Sequence, residues 1–234
     1  MFDFSNCTLE EALNHRKDLG HGLTAHSPEF PVNIYLMRCV RNAGIPRMAS
    51  YLNQYVLYKM MARNRDDRFP GMHPHYLTKE MILNAFSSCR SPVAVVKSEG
   101  NKVFILTDVL DGHSNPIGIV IKYNEDLDRN IVCSCYGRAS FAAFLSYQMT
   151  NGTLLFYDKS KIYSLIDTSY DKKILDGYAL PEDKENMINL MNASFPKHKT
   201  LSDVKKAVAK KKAESAPMPS IKTQKAVRYE ILVS

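Results

Sequence analysis

The side chains in this sequence that could do chemistry are a histidine, two lysines and two hydroxyl-bearing residues. Cleavage of RNA without a metal needs a base for the 2′-hydroxyl proton, a cation near the phosphate and an acid for the leaving 5′-oxygen. Histidine, lysine and hydroxyl side chains can supply all three functions. The candidate catalytic residues are His75, Lys122, Ser134, Tyr136 and Lys159.

The same residues also fit a simpler interpretation, in which they are ordinary polar positions on a solvated sheet face. The sequence contains no P-loop, no dinucleotide-binding glycine pattern and no Gly-x-Ser-x-Gly elbow. His73 and His75 could together bind a metal, but no third ligand lies at a telling spacing. The sequence therefore predicts neither a metal nor a cofactor.

The N-terminal part of the chain has helical patterns. Thr8 and Glu11 predict a capping box at the start of a short helix. Apolar residues over 31–42 predict a second helix, and the helical spacing after Pro46 predicts a third that runs through Met61. Thr78 is placed to cap a fourth helix, over residues 79–88.

The pattern changes to short β-branched runs after Pro92. Turn signals separate these runs, and such short connections require antiparallel pairing. A helix, a fifth strand-like run and two more helices follow. The predicted strands are 93–97, 103–108, 117–123, 131–135 and 154–157, and the later helices are 138–149, 159–166 and 181–191.

These patterns predict an α+β fold, in which N-terminal helices precede a four- to five-stranded antiparallel sheet. Composition divides the chain into three parts. We expect a helical N-terminal segment over residues 1–70, an α+β domain over 71–195 and a basic, helical or flexible tail over 196–234.

Nearly all of the excess positive charge lies in the tail. The formal net charge is +7, and residues 197–228 contain ten Lys or Arg against two acids, which leaves the remainder at −1. The tail is thus a candidate for binding nucleic acid, whereas the core would need a local basic patch. The candidate nucleic-acid-binding residues are Lys205, Lys206, Lys210, Lys211 and Lys212.

Other features predict a cytoplasmic protein. No apolar run is long enough to span a bilayer, and the N-terminus lacks the basic and apolar regions of a secretory signal. The five cysteines have no regular spacing, which indicates reduced thiols rather than a disulfide framework.

Five segments between His75 and about Leu165 carry a family resemblance. They are His75-Tyr-Leu-Thr-Lys-Glu-Met-Ile, Ser91-Pro-Val-Ala-Val-Val-Lys-Ser, Asn115-Pro-Ile-Gly-Ile-Val-Ile, Ser134-Cys-Tyr-Gly and Gly152-Thr-Leu-Leu-Phe-Tyr-Asp-Lys. On these segments the stretch resembles the C-terminal domain of phage MuF-type proteins, which also occurs in polyvalent proteins of mobile elements. That resemblance implies the fold group of barnase, EndoU, colicin and RelE ribonucleases, and it points to His75, Ser134, Tyr136 and Lys159. It also implies a protein that acts in a host cell or is delivered by a virion.

Two functions from different classes are consistent with these observations. The first is metal-independent cleavage of RNA by acid–base catalysis. The second is a non-catalytic phage protein that binds a host protein or nucleic acid. The near-neutral core favours the second hypothesis, because a ribonuclease usually needs a basic cleft.

Overall fold

The structure of the protein is a computed structural model. This structure describes residues 2–23, 27–64, 66, 68–69, 72–175, 177 and 181–194. The candidate lysines of the tail, from Lys205 to Lys212, lie outside the described residues.

The N-terminal part of the chain contains both helices and strands. Its elements are α1 (Leu9–Asn14), β1 (Glu29–Val32), a 3₁₀ helix (Arg38–Ala43), β2 (Ser50–Asn53), α2 (Gln54–Met61) and α3 (Lys79–Ser88). The predicted capping box of α1 and the Thr78 cap of α3 are confirmed. The predicted helix over 31–42 is found only in its last part, as the 3₁₀ helix, and its start is wrong, because residues 31 and 32 belong to β1.

The third predicted helix is correct only in its second half. Residues 50–53 form β2, in which Ser50 and Leu52 are buried and alternate with more exposed neighbours. Asn53 then begins α2, since its side chain accepts a hydrogen bond from the Tyr55 N–H. The helical spacing in the sequence therefore did not indicate β2, because this strand pairs with residues far away along the chain.

The C-terminal elements follow the predicted order. They are β3 (Ala94–Ser98), β4 (Lys102–Leu110), β5 (Pro116–Asn124), β6 (Arg129–Gly137), α4 (Phe141–Asn151), β7 (Leu154–Tyr157), α5 (Lys159–Leu175) and α6 (Pro181–Ser194). Successive pairs from β3 to β6 are antiparallel, which confirms the predicted meander.

The whole sheet is larger than predicted and is mixed. Its seven strands have the order β1-β2-β6-β5-β4-β3-β7, and β2 runs parallel to β6. The prediction of a four- to five-stranded antiparallel sheet is therefore wrong in number and in type. The parallel pair is possible because a long crossover, from α2 through the meander, separates β2 from β6 along the chain.

Apolar cores cover the two faces of the sheet. Ile105, Ile119 and Val132 belong to the first core, to which α1, α2 and α3 contribute. Phe104 and Leu106 belong to the second, together with α4, α5 and α6. No helix in the described part of the chain is long and apolar enough to cross a membrane, and the five cysteines are free thiols.

Candidate functional site

The position of His75 is set by the end of α2. The last carbonyl groups of a helix have no partner within the helix. Here the His75 N–H donates to the Lys59 carbonyl oxygen at 3.2 Å, and the Leu77 N–H donates to that of Met60 at 2.9 Å. The segment is then held from its other end, because Thr78 caps α3. The backbone of His75 is thus fixed between two helices.

The His75 side chain reaches the outer edge of β6. Strand β2 pairs with β6 only over Asn130–Val132, so α2 and the segment after it lie beside the rest of that edge. A hydrogen bond of 3.1 Å joins His75 Nε2 to Ser134 Oγ. The ring of Tyr136 is 5.4 Å from the imidazole, centroid to centroid. Three predicted site residues are therefore brought together.

Strand register shows which other residues share the sheet face with Ser134. Directly opposed residues in neighbouring strands point to the same side. Val120 is opposite Ser134, and Lys102 is opposite Lys122. Lys122 is exposed, and the residues near it on the same face are half-buried. The α4–α6 layer therefore leaves this part of the face open. The residues on this open face are Lys102, Val120, Lys122, Ser134 and Tyr136.

An aromatic cluster borders the open face on the side of α4. Phe104 lies 5.9 Å from Tyr136 and 5.1 Å from Phe144, measured between ring centroids. The guanidinium of Arg138 lies 4.3 Å from the centroid of the Phe144 ring, a cation–π contact. Arg138 Nε is buried without a hydrogen-bond partner among the described residues. A cation with one unsatisfied donor therefore lies against Phe144, at the border of the open face.

The surroundings of His75 favour its neutral form. Burial lowers the pKa of the imidazole to about 4, and the positive charges of Lys59 and His73 act in the same direction. Both effects penalise a protonated histidine. At neutral pH the ring consequently carries a nitrogen lone pair that can accept a proton.

The charges of three lysines act on Cys133, the residue of β6 that precedes Ser134. Burial raises the pKa of the Cys133 thiol, while Lys102, Lys122 and Lys59 oppose that rise through their charges. Burial also lowers the pKa of Lys59. The side chain of Lys59 has no carboxylate partner within the described part of the chain. Lys59, Lys102 and Lys122 are therefore the candidates for the local basic patch that the core would need.

Tyr76 places an aromatic ring in solvent beside His75. Its side chain is exposed, with 54% of its surface accessible. Its backbone has φ of 59°, a left-handed conformation that is unusual for a bulky residue. The Tyr76 N–H donates to the Ala62 carbonyl oxygen at 3.3 Å, and this contact at the end of α2 holds the conformation.

A family comparison now adds to this geometry. Residues 71–164 match the Phage MuF-C-terminal domain family. The matched stretch covers less than half of the 234 residues. Comparison with curated proteins and with solved structures finds no match. The MuF C-terminal match supports a phage protein, and it does not distinguish catalysis from binding.

The MuF-like stretch does not contain the whole group around His75. Lys59 belongs to α2 and lies outside the match, whereas His75, Ser134 and Lys122 lie within it. Both parts of the chain therefore build the group. Lys59, Lys102 and Arg138 were not predicted from the sequence. A lysine within the apolar pattern of α2 was the only signal for Lys59.

Lys159 lies elsewhere in the MuF-like stretch. It follows β7, and three strands separate β7 from β6 in the sheet, which corresponds to roughly 19 Å. Its ammonium donates to Asn192 Oδ1 at 3.2 Å and lies 5.6 Å from the centroid of the Tyr163 ring. The structure thus brings His75, Ser134 and Tyr136 together. It places Lys122 on the same sheet face as Ser134 and leaves Lys159 apart from them.

Proposed function

We propose that this phage protein cleaves RNA without a metal at the open sheet face around His75. The observation that carries the proposal is the His75–Ser134 hydrogen bond of 3.1 Å within a group of cationic side chains. The charged groups that act on His75 and on neighbouring Cys133 are Lys59, His73, Lys102 and Lys122, and none is acidic. A phosphate would therefore meet attraction from several sides.

The chemistry assigns one step to each side chain. His75 takes the proton of the 2′-hydroxyl, and the freed oxygen attacks the adjacent phosphorus. Lys122, with Lys102, stabilises the charge on the phosphate oxygens. The bond from phosphorus to the 5′-oxygen breaks, and the Lys59 ammonium donates the proton that this oxygen takes up. The products are a 2′,3′-cyclic phosphate and a free 5′-hydroxyl.

The low pKa of His75 describes the protein without RNA, and we expect a higher pKa in the complex. An imidazole with a pKa of about 4 is fully neutral at pH 7, but it is a weak base. A bound phosphate brings negative charge next to the ring and favours its protonated form. RNA binding would therefore raise this pKa toward the working pH. Ser134 would hold the ring in place during the transfer.

The neighbouring aromatic side chains offer contacts to the bases and ribose. Tyr76 presents an exposed ring beside His75, and base stacking on such a ring is worth about 1 to 3 kcal/mol. Tyr136 lies on the face itself and would position the phosphate or the ribose. These contacts and the lysines would also serve a protein that binds nucleic acid without cleaving it, which is the second candidate function.

The test is incubation of the purified full chain with single-stranded and structured RNAs in the presence of EDTA. We expect fragments that mass spectrometry identifies by 2′,3′-cyclic phosphate and 5′-hydroxyl ends. Cleavage that stops when EDTA is added would contradict the proposed chemistry. RNA that is bound but left intact would replace this function with the second candidate.

A further inference from the structure

A concave pocket lies beside the last turn of α2. Its volume is about 570 Å³, within the range of small-molecule sites in proteins. It lies outside the stretch that matches the phage family. The described residues that line it are Arg16, Leu19, Tyr58, Met61, Ala62, Arg63, Asn64, Asp66 and Arg68.

Hydrogen bonds connect the residues of one wall of this pocket. Tyr58 Oη donates to Asp66 Oδ2 at 2.7 Å, and Arg68 Nη2 donates to the same oxygen at 2.6 Å. Arg68 Nη1 also donates to the carbonyl oxygen of Gly20 at 3.0 Å, which ties the turn after α1 to this wall. The Tyr58 ring approaches Gly20 so closely that an added Cβ would lie 3.1 Å from it.

The charge of the pocket is unbalanced. Among the described residues, three arginines and one aspartate line it, which gives this part of the lining a net charge of +2. Asp66 accepts hydrogen bonds from Arg68 and Tyr58. These bonds hold the pKa of its carboxyl well below the ordinary value. Arg16 and Arg63 have no ion-pair partner among the residues that the structure describes.

We propose that this pocket binds one nucleotide, with its phosphate on Arg16 and Arg63. The guanidinium group forms paired hydrogen bonds that match phosphate oxygens. Leu19, Met61 and the Tyr58 ring provide apolar surface for the sugar or the base. The inference does not depend on the proposed function, since the pocket and the His75 group share only the end of α2.

The test is calorimetric titration of the full chain with adenosine 5′-monophosphate and with adenosine at one low salt concentration. We expect the monophosphate to bind more tightly, and we expect the double variant Arg16→Ala, Arg63→Ala to weaken it at least about tenfold. The matched control is Arg38→Ala with Arg90→Ala, which removes the same charge from exposed positions elsewhere.

A pocket variant that binds the monophosphate as the wild type does would overturn the proposal, and so would equal binding of adenosine. A short oligoribonucleotide distinguishes two sources of the ligand, since the pocket variant weakens its binding only if the nucleotide belongs to an RNA strand. The titration measures binding of the nucleotide alone and requires no cleavage of RNA. Failure of cleavage and failure of the pocket therefore give different results.

Discussion

At the scale of single residues, His75 links the stability of the fold to pH. Its folded-state pKa of about 4 lies below the ordinary value of 6.5, so the unfolded chain binds more protons between these two values. The contribution of His75 to the stability of the fold is therefore complete above pH 6.5 and is lost as the pH falls toward 4. The full shift would correspond to roughly 3 kcal/mol, which partial exposure of the ring reduces to about 1 to 2 kcal/mol.

We expect His75→Gln to remove this part of the pH dependence. Urea unfolding at pH 7.5 and at pH 4.5 would measure the loss of stability in each protein. The variant should lose about 1 to 2 kcal/mol less than the wild type over this interval. His113→Gln is the control, because His113 is exposed in the turn between β4 and β5. An equal loss in the wild type and His75→Gln would mean that the imidazole is not held neutral.

The lysines beside His75 make a second prediction at this scale. Each phosphate contact contributes about one unit to the slope of log K against log salt. Lys59→Ala and Lys122→Ala should each weaken RNA binding and reduce that slope, measured by fluorescence anisotropy at several salt concentrations. Lys159→Ala is the comparison, because Lys159 lies toward the opposite sheet edge. If Lys159→Ala weakens RNA binding equally, the RNA does not bind specifically at the face around His75.

At the scale of elements, the close contact between β4 and β5 supports Tyr136. A Cβ on Gly118 would lie 1.9 Å from the Phe104 ring, which in turn contacts Tyr136 and Phe144. Gly118→Ala should therefore destabilise the protein by about 1 to 3 kcal/mol, as overpacking does. Chemical denaturation would measure this. Gly112→Ala is the control, since no atom lies within 4 Å of its added Cβ. Equal stability of both variants would show that the ring yields freely.

The elements also show what the sequence could predict. Turn signals and β-branched runs are local, so the meander from β3 to β6 and the final β7 followed from them. The period of two along a strand could place Ser134 and Tyr136 on one face. Strand β2 pairs with β6 about eighty residues away, so a local pattern did not reveal it. Lys59 joins the site only through that tertiary arrangement.

At the scale of the whole molecule, the N-terminal part and the MuF-like stretch share one core. Phe30, Leu52 and Leu57 are fully buried in the same cluster as Ile119 and Val132. The predicted boundary near residue 70 separates them by composition and remains a prediction. Their packing means that neither part keeps its apolar face covered without the other.

We therefore expect a fragment of residues 71–234 to lack a cooperative fold. Removing residues 1–70 would expose the first face of the sheet and leave the parallel edge of β6 unpaired. Circular dichroism during heating, compared with the full chain, would measure this. A sharp thermal transition in the fragment, with the strand content of the full chain, would show that the MuF-like stretch folds on its own.

The central claim is that His75 transfers a proton during RNA cleavage, and single-turnover kinetics test it most directly. The cleavage rate of one defined RNA is measured in EDTA for the wild type, His75→Ala and the exposed-histidine control His113→Ala. We expect His75→Ala to be slower by about a hundred- to ten-thousand-fold, and His113→Ala to match the wild type. A correctly folded His75→Ala protein that cleaves at the wild-type rate would contradict the account.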